Sequence, residues 1–287
     1  MSDVIEVADL DFRYGRGKPL AVRGMDFSVG EGEIFGFLGP SGAGKSTTQK
    51  ILTGLLGGHT GRAALWGRTP REWGDELYRH IGVSFELPNH YRKLTALENL
   101  RFFASLHEGP TQDPHKLLDS VGLADAADTR VGEFSKGMQM RLGFVRALLH
   151  EPGLLFLDEA TSGLDPRNAR VIKDIVLERK ARGCAVFLTT HDMATAEELC
   201  DRVAFVVDGS IAVLGSPTEL KIARSRRLVR VAYRDGDGLR EVDFGFDGLA
   251  EDAEFHRVLR EEAVQTLHSQ EADLSDVFLE TTGRSLR

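Results

Sequence analysis

A glycine-rich segment restricts the fold of this chain more than any other feature of its sequence. Residues 39–47 read GPSGAGKST and complete the apolar run IFGFLG that begins at Ile34, which predicts a strand buried on both faces. After the segment, Ile51 and Leu52 lie on the apolar side of a predicted helix. A loop of the form G-x-x-x-x-G-K-[ST] between a strand and a helix is typical of phosphate binding. The segment therefore predicts an α/β protein that binds a nucleotide through its phosphates.

Every residue of this loop is a candidate contact for ATP. Glycines permit a tight turn in which backbone N–H groups point at phosphate oxygens, and the helix N-terminus adds positive potential. Lys45 would neutralise the β- and γ-phosphates, and the Ser46 hydroxyl would bind Mg²⁺. The predicted contacts are Gly39, Pro40, Ser41, Gly42, Ala43, Gly44, Lys45, Ser46 and Thr47. The alternative is a glycine-rich turn with an incidental lysine, which the flanking strand and helix disfavour.

Two carboxylates follow a second apolar run. The run LLFLD ends at Asp158, and Glu159 comes next. Because ligands of open α/β sheets bind at the carboxyl ends of the strands, both side chains are expected near the phosphate-binding loop. Asp158 would hold Mg²⁺ through its water ligands, and Glu159 would polarise the attacking water as general base. The same two residue types also occur where a strand simply ends in solvent, and the upstream loop favours the catalytic interpretation.

The order of the predicted elements indicates the fold class. Half-buried strands around Ile5 and Phe27 predict an antiparallel sheet, and the run AVFLTT at residues 185–190 predicts a third buried strand. Between LLFLD and AVFLTT, Asp165 can cap a helix, and strand, helix, strand is typical of a parallel sheet. Residues from about 87 to 152 are rich in helix signals. The predicted class is a P-loop NTPase, with a RecA-like parallel core, an antiparallel β subdomain and a helical insert.

The character of the sequence changes from about residue 221. The segment KIARSRRLVR contains the basic residues Lys221, Arg224, Arg226, Arg227 and Arg230. A solvated hinge is the favoured interpretation, and a patch that faces phosphates or a membrane is the alternative. Alternating apolar residues then predict a hairpin, and apolar residues at helical spacing follow it. The predicted domains are an ATP-binding domain over 1–220, with a helical subdomain at about 87–152, and a small α+β accessory domain over 221–287.

Composition argues against several other classes of protein. The net charge of −8 and the pI near 5.6 argue against a broad surface for nucleic acid or anionic lipid. The chain lacks the run of about 18 apolar residues that a membrane helix needs and the features of a signal peptide, so a cytoplasmic location is expected. Cys184 and Cys200 lack the spacing of metal ligands and are expected to be reduced thiols in the core.

The segment FSKGMQMRLGFVRALLHEPGLLFLDEATSGLDP, residues 134–166, resembles the nucleotide-binding subunit of an ATP-binding cassette (ABC) transporter. Ser135, Gly137 and Gln139 stand at positions of the family's LSGGQ signature, which many other P-loop enzymes lack. LLFLDE stands at Walker B, and Asp165 ends a D-loop that reads SGLD. The resemblance implies that the signature and the D-loop contribute to the nucleotide site.

Two further residues match the family over a resemblance that covers about residues 4–220. Tyr14, in FRYG, matches the aromatic residue that stacks under adenine, a contact of about 1–3 kcal/mol. His191, after AVFLTT, matches the switch histidine, and its neutral ring would donate to the γ-phosphate while its other nitrogen accepts from a neighbour. An aromatic residue at a strand edge and a satisfied core histidine are the alternatives, and the order of the motifs favours the functional roles.

The chain departs from the family's pattern at two positions. Lys136 replaces the first glycine of the signature and adds positive charge where the family's helix meets the γ-phosphate bound to the opposite subunit, so this contact should survive. Glu86 replaces the Q-loop glutamine, which offers an oxygen to Mg²⁺ and connects the core with the helical insert. Glutamate keeps the oxygen ligand and adds a negative charge. Glu86 is therefore a predicted Mg²⁺ ligand with Ser46 and Asp158, and a side chain that points to solvent is the alternative.

The resemblance also implies partners. Two copies would form a homodimer in which each ATP lies between the phosphate-binding loop of one chain and Ser135 of the other. The variants FELPNHY and FSKGM and the C-terminal residues resemble ATP-binding subunits of ABC-2-type exporters, including drug-resistance systems. The implied function is ATP hydrolysis that powers efflux of a drug or other small amphiphile through a separate integral-membrane permease, with this chain peripheral on the inner face of the cell membrane and no nucleic-acid partner. An ATPase that regulates a membrane complex without transport is the alternative.

Overall fold

The structure is a computed structural model that describes residues 3–87, 89–224, 228–236, 238–269 and 272–283. Its strands are β1 (Asp3–Phe12), β2 (Val22–Gly30), β3 (Ile34–Leu38), β4 (Thr60–Leu65), β5 (Ile81–Ser84), β6 (Leu154–Asp158), β7 (Ala185–Thr190), β8 (Arg202–Val207), β9 (Ser210–Gly215), β10 (Leu228–Asp235), β11 (Gly238–Gly245) and β12 (Ala263–Ser269). Its α-helices are α1 (Lys45–Leu52), α2 (Pro70–Trp73), α3 (Ala96–Ala104), α4 (Pro114–Ser120), α5 (Lys136–Ala147), α6 (Pro166–Ala181), α7 (Met193–Leu199), α8 (Pro217–Arg224), α9 (Ala253–Glu261) and α10 (Leu274–Thr282). Arg226 and Arg227 of the predicted basic segment lie outside the described residues.

The described chain divides into two compact units, with the boundary between Ser216 and Pro217. The first unit contains a six-stranded sheet of order β5-β6-β7-β3-β8-β9, which is parallel except for β9. Strands β3 and β7 are buried along their whole length, which confirms the prediction from their continuous apolar runs. Because β3, β6 and β7 are parallel neighbours, the residues that follow them meet at one edge of the sheet.

An antiparallel sheet packs against this core. Its order is β2-β1-β4, and β1 pairs with β2 as the alternating apolar residues predict. The ring of Phe27 in β2 lies 5.4 Å from the rings of Phe35 and Phe37 and 6.0 Å from that of Phe187. Aromatic pairs at such distances contribute about 0.5–1.5 kcal/mol each beyond the burial of their area. This aromatic cluster joins the two sheets below the edge where the functional residues gather.

The helix-rich insert lies between β5 and β6, as predicted. Helix α3 begins with a capping box, in which the Glu98 N–H donates to the Thr95 hydroxyl at 3.1 Å and the Thr95 N–H donates to the Glu98 carboxylate at 2.8 Å. Helix α5 begins after Ser135, whose hydroxyl oxygen accepts from the N–H of Met138 at 3.2 Å. The local sequence thus defines where both helices start.

The second unit has its own small core. Its sheet has the antiparallel order β11-β10-β12, and α9 packs Phe255 and Val258 against Val231 and Tyr233 of β10. The predicted hairpin is β10 with β11. Arg230 of the basic segment makes two hydrogen bonds to Asp243, of 2.6 and 2.8 Å. Its guanidinium therefore links the neighbouring strands β10 and β11.

Some features differ from expectation or were not predicted. Strands β4 and β12 have no counterpart in the sequence prediction, and Lys221 and Arg224 lie on helix α8 where a solvated hinge was favoured. Cys184 and Cys200 are buried free thiols, and burial raises the pKa of Cys184 to about 11. Across the residues with described positions, no helix is both long enough and apolar enough to cross a bilayer.

Candidate active site

The phosphate-binding loop packs directly on the backbone of neighbouring segments. Gly39 has a φ of 155°, and a Cβ atom there would lie 2.2 Å from the carbonyl oxygen of Val206 in β8. The N–H of Gly209, in the turn after β8, donates to the carbonyl of Ala43 at 3.1 Å. In the loop, Ser41, Gly42 and Ser46 are exposed, Pro40 and Lys45 are half-buried, and Ala43, Gly44 and Thr47 are buried. The loop therefore packs on β8 and the turn after it with one side, and its other side is exposed to a ligand.

We expect Gly39→Ala to destabilise the protein by about 1–3 kcal/mol more than Gly42→Ala. Both glycines have positive φ, but space around Gly42 is open, so alanine there meets only backbone strain of about 1–2 kcal/mol. At Gly39 the methyl group also collides with backbone, which adds about 1–3 kcal/mol of overpacking. Urea unfolding followed by tryptophan fluorescence measures the difference, because the only two tryptophans, Trp66 and Trp73, lie in the first unit. Equal free energies of unfolding would contradict the expectation.

Lys45 lies at the start of α1 and turns back over the loop. Its ammonium group donates to the carbonyl oxygens of Gly39 at 2.5 Å and Pro40 at 3.1 Å. Burial lowers the pKa of Lys45, while the negative charges of Glu159, Asp158 and Glu86 act in the opposite direction. These bonds to neutral carbonyls are replaceable, so the cation is available to phosphate oxygens.

Asp158 ends β6 beside this lysine. It accepts a hydrogen bond from the Thr189 hydroxyl of β7. Burial raises the pKa of Asp158, and the negative charges of Glu86 and Glu159 raise it further. Negative charges gathered around one half-buried carboxylate favour a cation between them.

Glu159 is held in a single orientation. Its backbone has a positive φ of 52°, and its N–H donates to the carbonyl of Thr189 at 2.9 Å. One carboxylate oxygen accepts from the Thr190 hydroxyl at 3.1 Å, and the other accepts from the His191 N–H at 3.0 Å. The His191 ring nitrogen Nδ1 lies 2.7 Å from the same second oxygen. A carboxylate has about four lone-pair positions, so these contacts leave one for a water molecule.

The contact with Glu159 changes the expectation for His191. The sequence prediction has one ring nitrogen of a neutral histidine accepting from a neighbour while the other donates to the γ-phosphate. In the structure Nδ1 faces a carboxylate, which accepts when ionised, so Nδ1 carries the proton and donates. Only a charged imidazolium could then donate through Nε2 as well. The His191 side chain remains 57% exposed, and a ligand can reach it.

Tyr14 lies just after β1 and close to α1. Its hydroxyl lies 2.9 Å from the Thr47 hydroxyl, and its ring packs edge-on against Phe12, with the ring centroids 5.0 Å apart. Although the side chain makes both contacts, the residue is 57% exposed. An exposed ring fixed beside the phosphate-binding loop can stack on a base.

Within one chain, the signature residues contact the D-loop and helix α5. A Cβ atom on Gly137 would lie 3.3 Å from the Leu164 side chain, and the negative charge of Asp165 acts on Arg141 of α5. Asp165 caps α6 by accepting from the N–H of Asn168 at 3.0 Å. Among the hydrogen bonds and ring contacts that the structure describes, none joins Ser135 to residues 39–47. The signature therefore lies against the D-loop at Gly137 and Leu164, and the D-loop lines a cavity together with Glu159 and His191.

Gln139 and Glu86 complete the set of predicted residues. The Gln139 side chain donates to the carbonyl of Phe134 at 3.0 Å, so it stabilises the first turn of α5. Glu86 is exposed, in the segment after β5, yet its charge acts on both Lys45 and Asp158. It is therefore in electrostatic reach of the phosphate-binding loop despite its exposure.

A magnesium ion suits these oxygen donors. Within the part of the chain that the structure describes, no group of three or more His, Cys, Asp or Glu side chains forms a metal site. Mg²⁺ is usually bound by one or two carboxylates together with water and substrate phosphates, and it does not need such a group. Asp158, Glu86 and the Ser46 hydroxyl are donors of the correct type.

Sequence reasoning missed three residues that support the site. The hydroxyls of Thr189 and Thr190, in β7, donate to the carboxylates that end β6 and follow it. The ring of His90 contacts the backbone of α5. Two hydroxyl side chains at the end of an otherwise apolar strand were a usable signal, because β7 neighbours β6. His90 had no such signal, since its partner is a backbone carbonyl.

Comparison with protein-family models gives two matches. The model described as "ABC transporter" matches residues 22–162, and the model described as "Fluoroquinolone efflux ABC transporter C-terminal domain" matches residues 227–271. The second match lies in the second compact unit.

Individual proteins are similar over most of the chain. A Fluoroquinolones export ATP-binding protein of Mycobacterium tuberculosis (strain H37Rv) is 67% identical, with 99% of this chain and 95% of the relative covered. The Bacitracin transport ATP-binding protein of Bacillus licheniformis is 38% identical, with 74% and 69% covered. A solved structure described as the ATP binding subunit of an ABC transporter is 30% identical, covers 76% of this chain and 91% of its own, and superimposes with a TM-score of 0.70.

Proposed function

This chain belongs to the ABC transporter family as an ATP-binding, ATP-hydrolysing subunit of an exporter, and we propose that it powers the efflux of fluoroquinolones or a similar drug through a separate permease. The observation that carries the substrate class is the 67% identity to the mycobacterial fluoroquinolone export protein over 99% of the chain. That identity includes the second unit, so the accessory domain over 221–287 belongs to the same proposal. The chain would act at the inner face of the membrane, attached through its permease.

In this proposal each residue at the sheet edge has a separate task. Lys45 exchanges its bonds to loop carbonyls for bonds to the β- and γ-phosphates. Glu159 holds one water in line with the γ-phosphate and accepts its proton, while Thr190 and His191 keep the carboxylate oriented. Bound Mg²⁺ would supply charge neutralisation at the phosphates, with Asp158, Glu86 and Ser46 as its protein donors.

No hydrogen bond that the structure describes joins Ser135 to residues 39–47 of its own chain, and a role for Ser135 at the opposite chain's ATP supports a homodimer. Ser135 accepts from the Met138 N–H and keeps its hydroxyl proton free to donate. Head-to-tail pairing of two chains would bring this hydroxyl to the γ-phosphate on the opposite loop and would bury two equivalent sites. Lys136, at the first position of α5, would add positive charge at the same place.

A groove beside the segment after β5 is the proposed dock for the permease. The cavity has a volume of about 440 Å³ and combines residues of the parallel core with residues of the helical insert. Phe85, Phe103 and Leu106 supply apolar surface, and Arg79 and Glu108 form an ion pair of 2.5 Å at its lining. An amphipathic cytoplasmic helix of a membrane partner fits this combination of apolar floor and charged margin.

We expect Glu86→Ala to raise the Mg²⁺ concentration for half-maximal ATPase activity by about tenfold, which corresponds to about 1.4 kcal/mol for one lost charged ligand. Glu86→Gln is the matched control, because its amide keeps an oxygen donor, and we expect it to stay within about threefold of the wild type. Steady-state ATPase assays over a Mg²⁺ series at fixed ATP measure both. Wild-type Mg²⁺ dependence of Glu86→Ala would remove Glu86 from the metal site.

Transport is tested in inverted vesicles that contain the co-purifying membrane subunit. ATP should drive uptake of a fluoroquinolone into vesicles with the wild-type chain and not into vesicles with Glu159→Gln. ATP hydrolysis by the wild-type complex without uptake of fluoroquinolones or other amphiphilic drugs would overturn the proposed substrate class and favour a regulatory ATPase.

A further inference from the structure

The segment after β5 is attached along helix α5 as it runs toward the helix N-terminus. A Cβ atom on Gly82 would lie 2.2 Å from the carbonyl oxygen of Ala147, so β5 touches the last turn of the helix. A Cβ atom on Gly143 would lie 4.0 Å from the hydroxyl of Ser84 and 3.6 Å from the ring of His90. Glu86 lies between Ser84 and His90 in this segment. Glu86, whose charge reaches Lys45 and Asp158, is therefore preceded and followed in the chain by residues that lie close to the same helix.

The attachment nearest the signature is a single hydrogen bond. Nε2 of His90 lies 2.8 Å from the carbonyl oxygen of Gln139, in the first turn of α5. Burial lowers the pKa of His90 to about 4, so the ring is neutral near pH 7. Nδ1 is buried and has no hydrogen-bond partner among the described residues, so the proton belongs on Nε2, which donates. The absence of a side chain at Gly143 leaves room for the ring.

Asn89, the residue before His90, is bound nearer the C-terminal end of α5. The guanidinium of Arg146 donates to the backbone oxygen of Asn89 at 3.1 Å and to its side-chain oxygen at 2.7 Å. The same guanidinium lies 4.5 Å from the centre of the Phe103 ring in α3. This contact holds the segment to the C-terminal half of α5, away from Ser135. Among the hydrogen bonds that the structure describes for this segment, that of His90 is the one that reaches the turn beginning at Ser135.

The carbonyl that His90 contacts belongs to a residue already tied to the signature serine. The Gln139 N–H donates to the carbonyl of Ser135 at 3.0 Å, and the Gln139 side chain donates to the carbonyl of Phe134 at 3.0 Å. A displacement of His90 would therefore act on a turn whose hydrogen bonds include the backbone of Ser135. In a head-to-tail dimer, Glu86 serves the ATP on its own chain and Ser135 serves the ATP on the opposite chain.

We propose that His90 is a positioning residue that couples the two ATP sites, by linking the Glu86 segment of one site to the signature turn that completes the other. This inference rests on the homodimer proposed above and adds to it a named connection inside each chain. Binding of ATP on one chain would shift the Glu86 segment and, through the His90 bond, the presentation of Ser135 to the opposite ATP. The measurable consequence is cooperativity in ATP-driven dimerisation.

The test uses the full chain with Glu159→Gln, which removes hydrolysis from the readout. ATP binding to the monomer is measured by fluorescence polarisation of labelled ATP, and dimerisation by light scattering over an ATP series. Leucine at position 90 keeps a side chain of comparable bulk without a donor, whereas glutamine keeps a donor near the position of Nε2. We expect His90→Leu to leave monomer affinity unchanged, to raise the ATP concentration for half-maximal dimerisation by about threefold to tenfold, and to lower the Hill coefficient toward 1. His90→Gln should behave like its parent.

Gln112→Leu is the matched control for general damage to α5. Its side chain donates to the carbonyl of Leu148 at 2.6 Å, at the opposite end of the helix, so its loss should leave the dimerisation curve unchanged. If His90→Leu fails to fold, His90→Asn replaces it, because that amide is too short to reach Gln139. Unchanged dimerisation in the donor-free variant, an equal shift in Gln112→Leu, or failure of His90→Gln to restore the parent's curve would overturn the coupling role. A parent that binds ATP and never dimerises would overturn both the dimer and the coupling.

Discussion

Replacement of Glu159 by glutamine should leave ATP binding nearly intact and slow hydrolysis by about 10²-fold to 10⁴-fold, the usual contribution of a general base. The amide has nearly the shape of the carboxylate but cannot accept the proton of the attacking water. Its oxygen can still accept from the His191 N–H, and its NH2 group can donate to the Thr190 hydroxyl, which can also act as an acceptor, so we expect the local structure to stay unchanged. The lost function is therefore proton transfer, and nucleotide binding is spared.

Release of phosphate under steady-state conditions measures this loss, and titration with labelled ATP measures binding. Glu198→Gln is a suitable control, because Glu198 is an exposed glutamate that pairs with Arg170 and Lys173 on the surface. We expect the control to hydrolyse ATP at close to the wild-type rate. Near-normal turnover in Glu159→Gln would assign the role of base to another residue.

Replacement of Lys45 by alanine should weaken binding of ATP by about 100-fold or more, within the range of about 2–5 kcal/mol for loss of one partner of a desolvated charge pair. Two effects both weaken the binding of ATP. The variant loses a cation for the β- and γ-phosphates, and it leaves the negative charges of Asp158, Glu159 and Glu86 uncompensated beside an anionic ligand. Both hydrogen bonds that the structure describes for the Lys45 ammonium group go to neutral carbonyls, so the fold itself should tolerate the change.

Polarisation of labelled ATP and the midpoint of thermal unfolding separate these effects. Lys50→Ala, in the last turn of the same helix and exposed, is the control for loss of one positive charge from α1. It should bind ATP like the wild type. Wild-type affinity in Lys45→Ala would mean that the loop holds the phosphates through its backbone alone.

The elements that could be predicted are those with strong local patterns. Strands β3, β6 and β7 are continuous apolar runs, and α3 and α6 begin at side chains that cap a helix by themselves. Strands β4 and β12 were missed for different reasons. The sequence of β4 begins Thr60-Gly61-Arg62 and becomes a strand by pairing with β1, and β12 is an exposed strand with little apolar alternation that pairs with β10. Pairing between distant segments leaves no local periodicity to detect.

The candidate site shows the same division. Motif spacing identified Lys45, Asp158 and Glu159 as candidates, because each follows a strand of a recognisable parallel core. It could not predict that His191 and Glu159 share a hydrogen bond of 2.7 Å, or that Nδ1 is therefore the donor. The positive φ of Glu159 and the contact of His90 with a backbone carbonyl are likewise consequences of packing.

Amino-acid order alone determined that this chain forms a P-loop core with an insert and an appended unit, since glycine placement, capping residues and hydrophobic periodicity act over a few neighbouring residues. Tertiary structure alone decided which donors surround each carboxylate and which carbonyl receives His90. Those contacts join segments separated by about 30 to 50 positions in the chain, from β6 to the residues after β7 and from the β5 loop to α5. Hydrogen-bond geometry at that separation depends on how helices and sheets pack, and packing is a property of the folded whole.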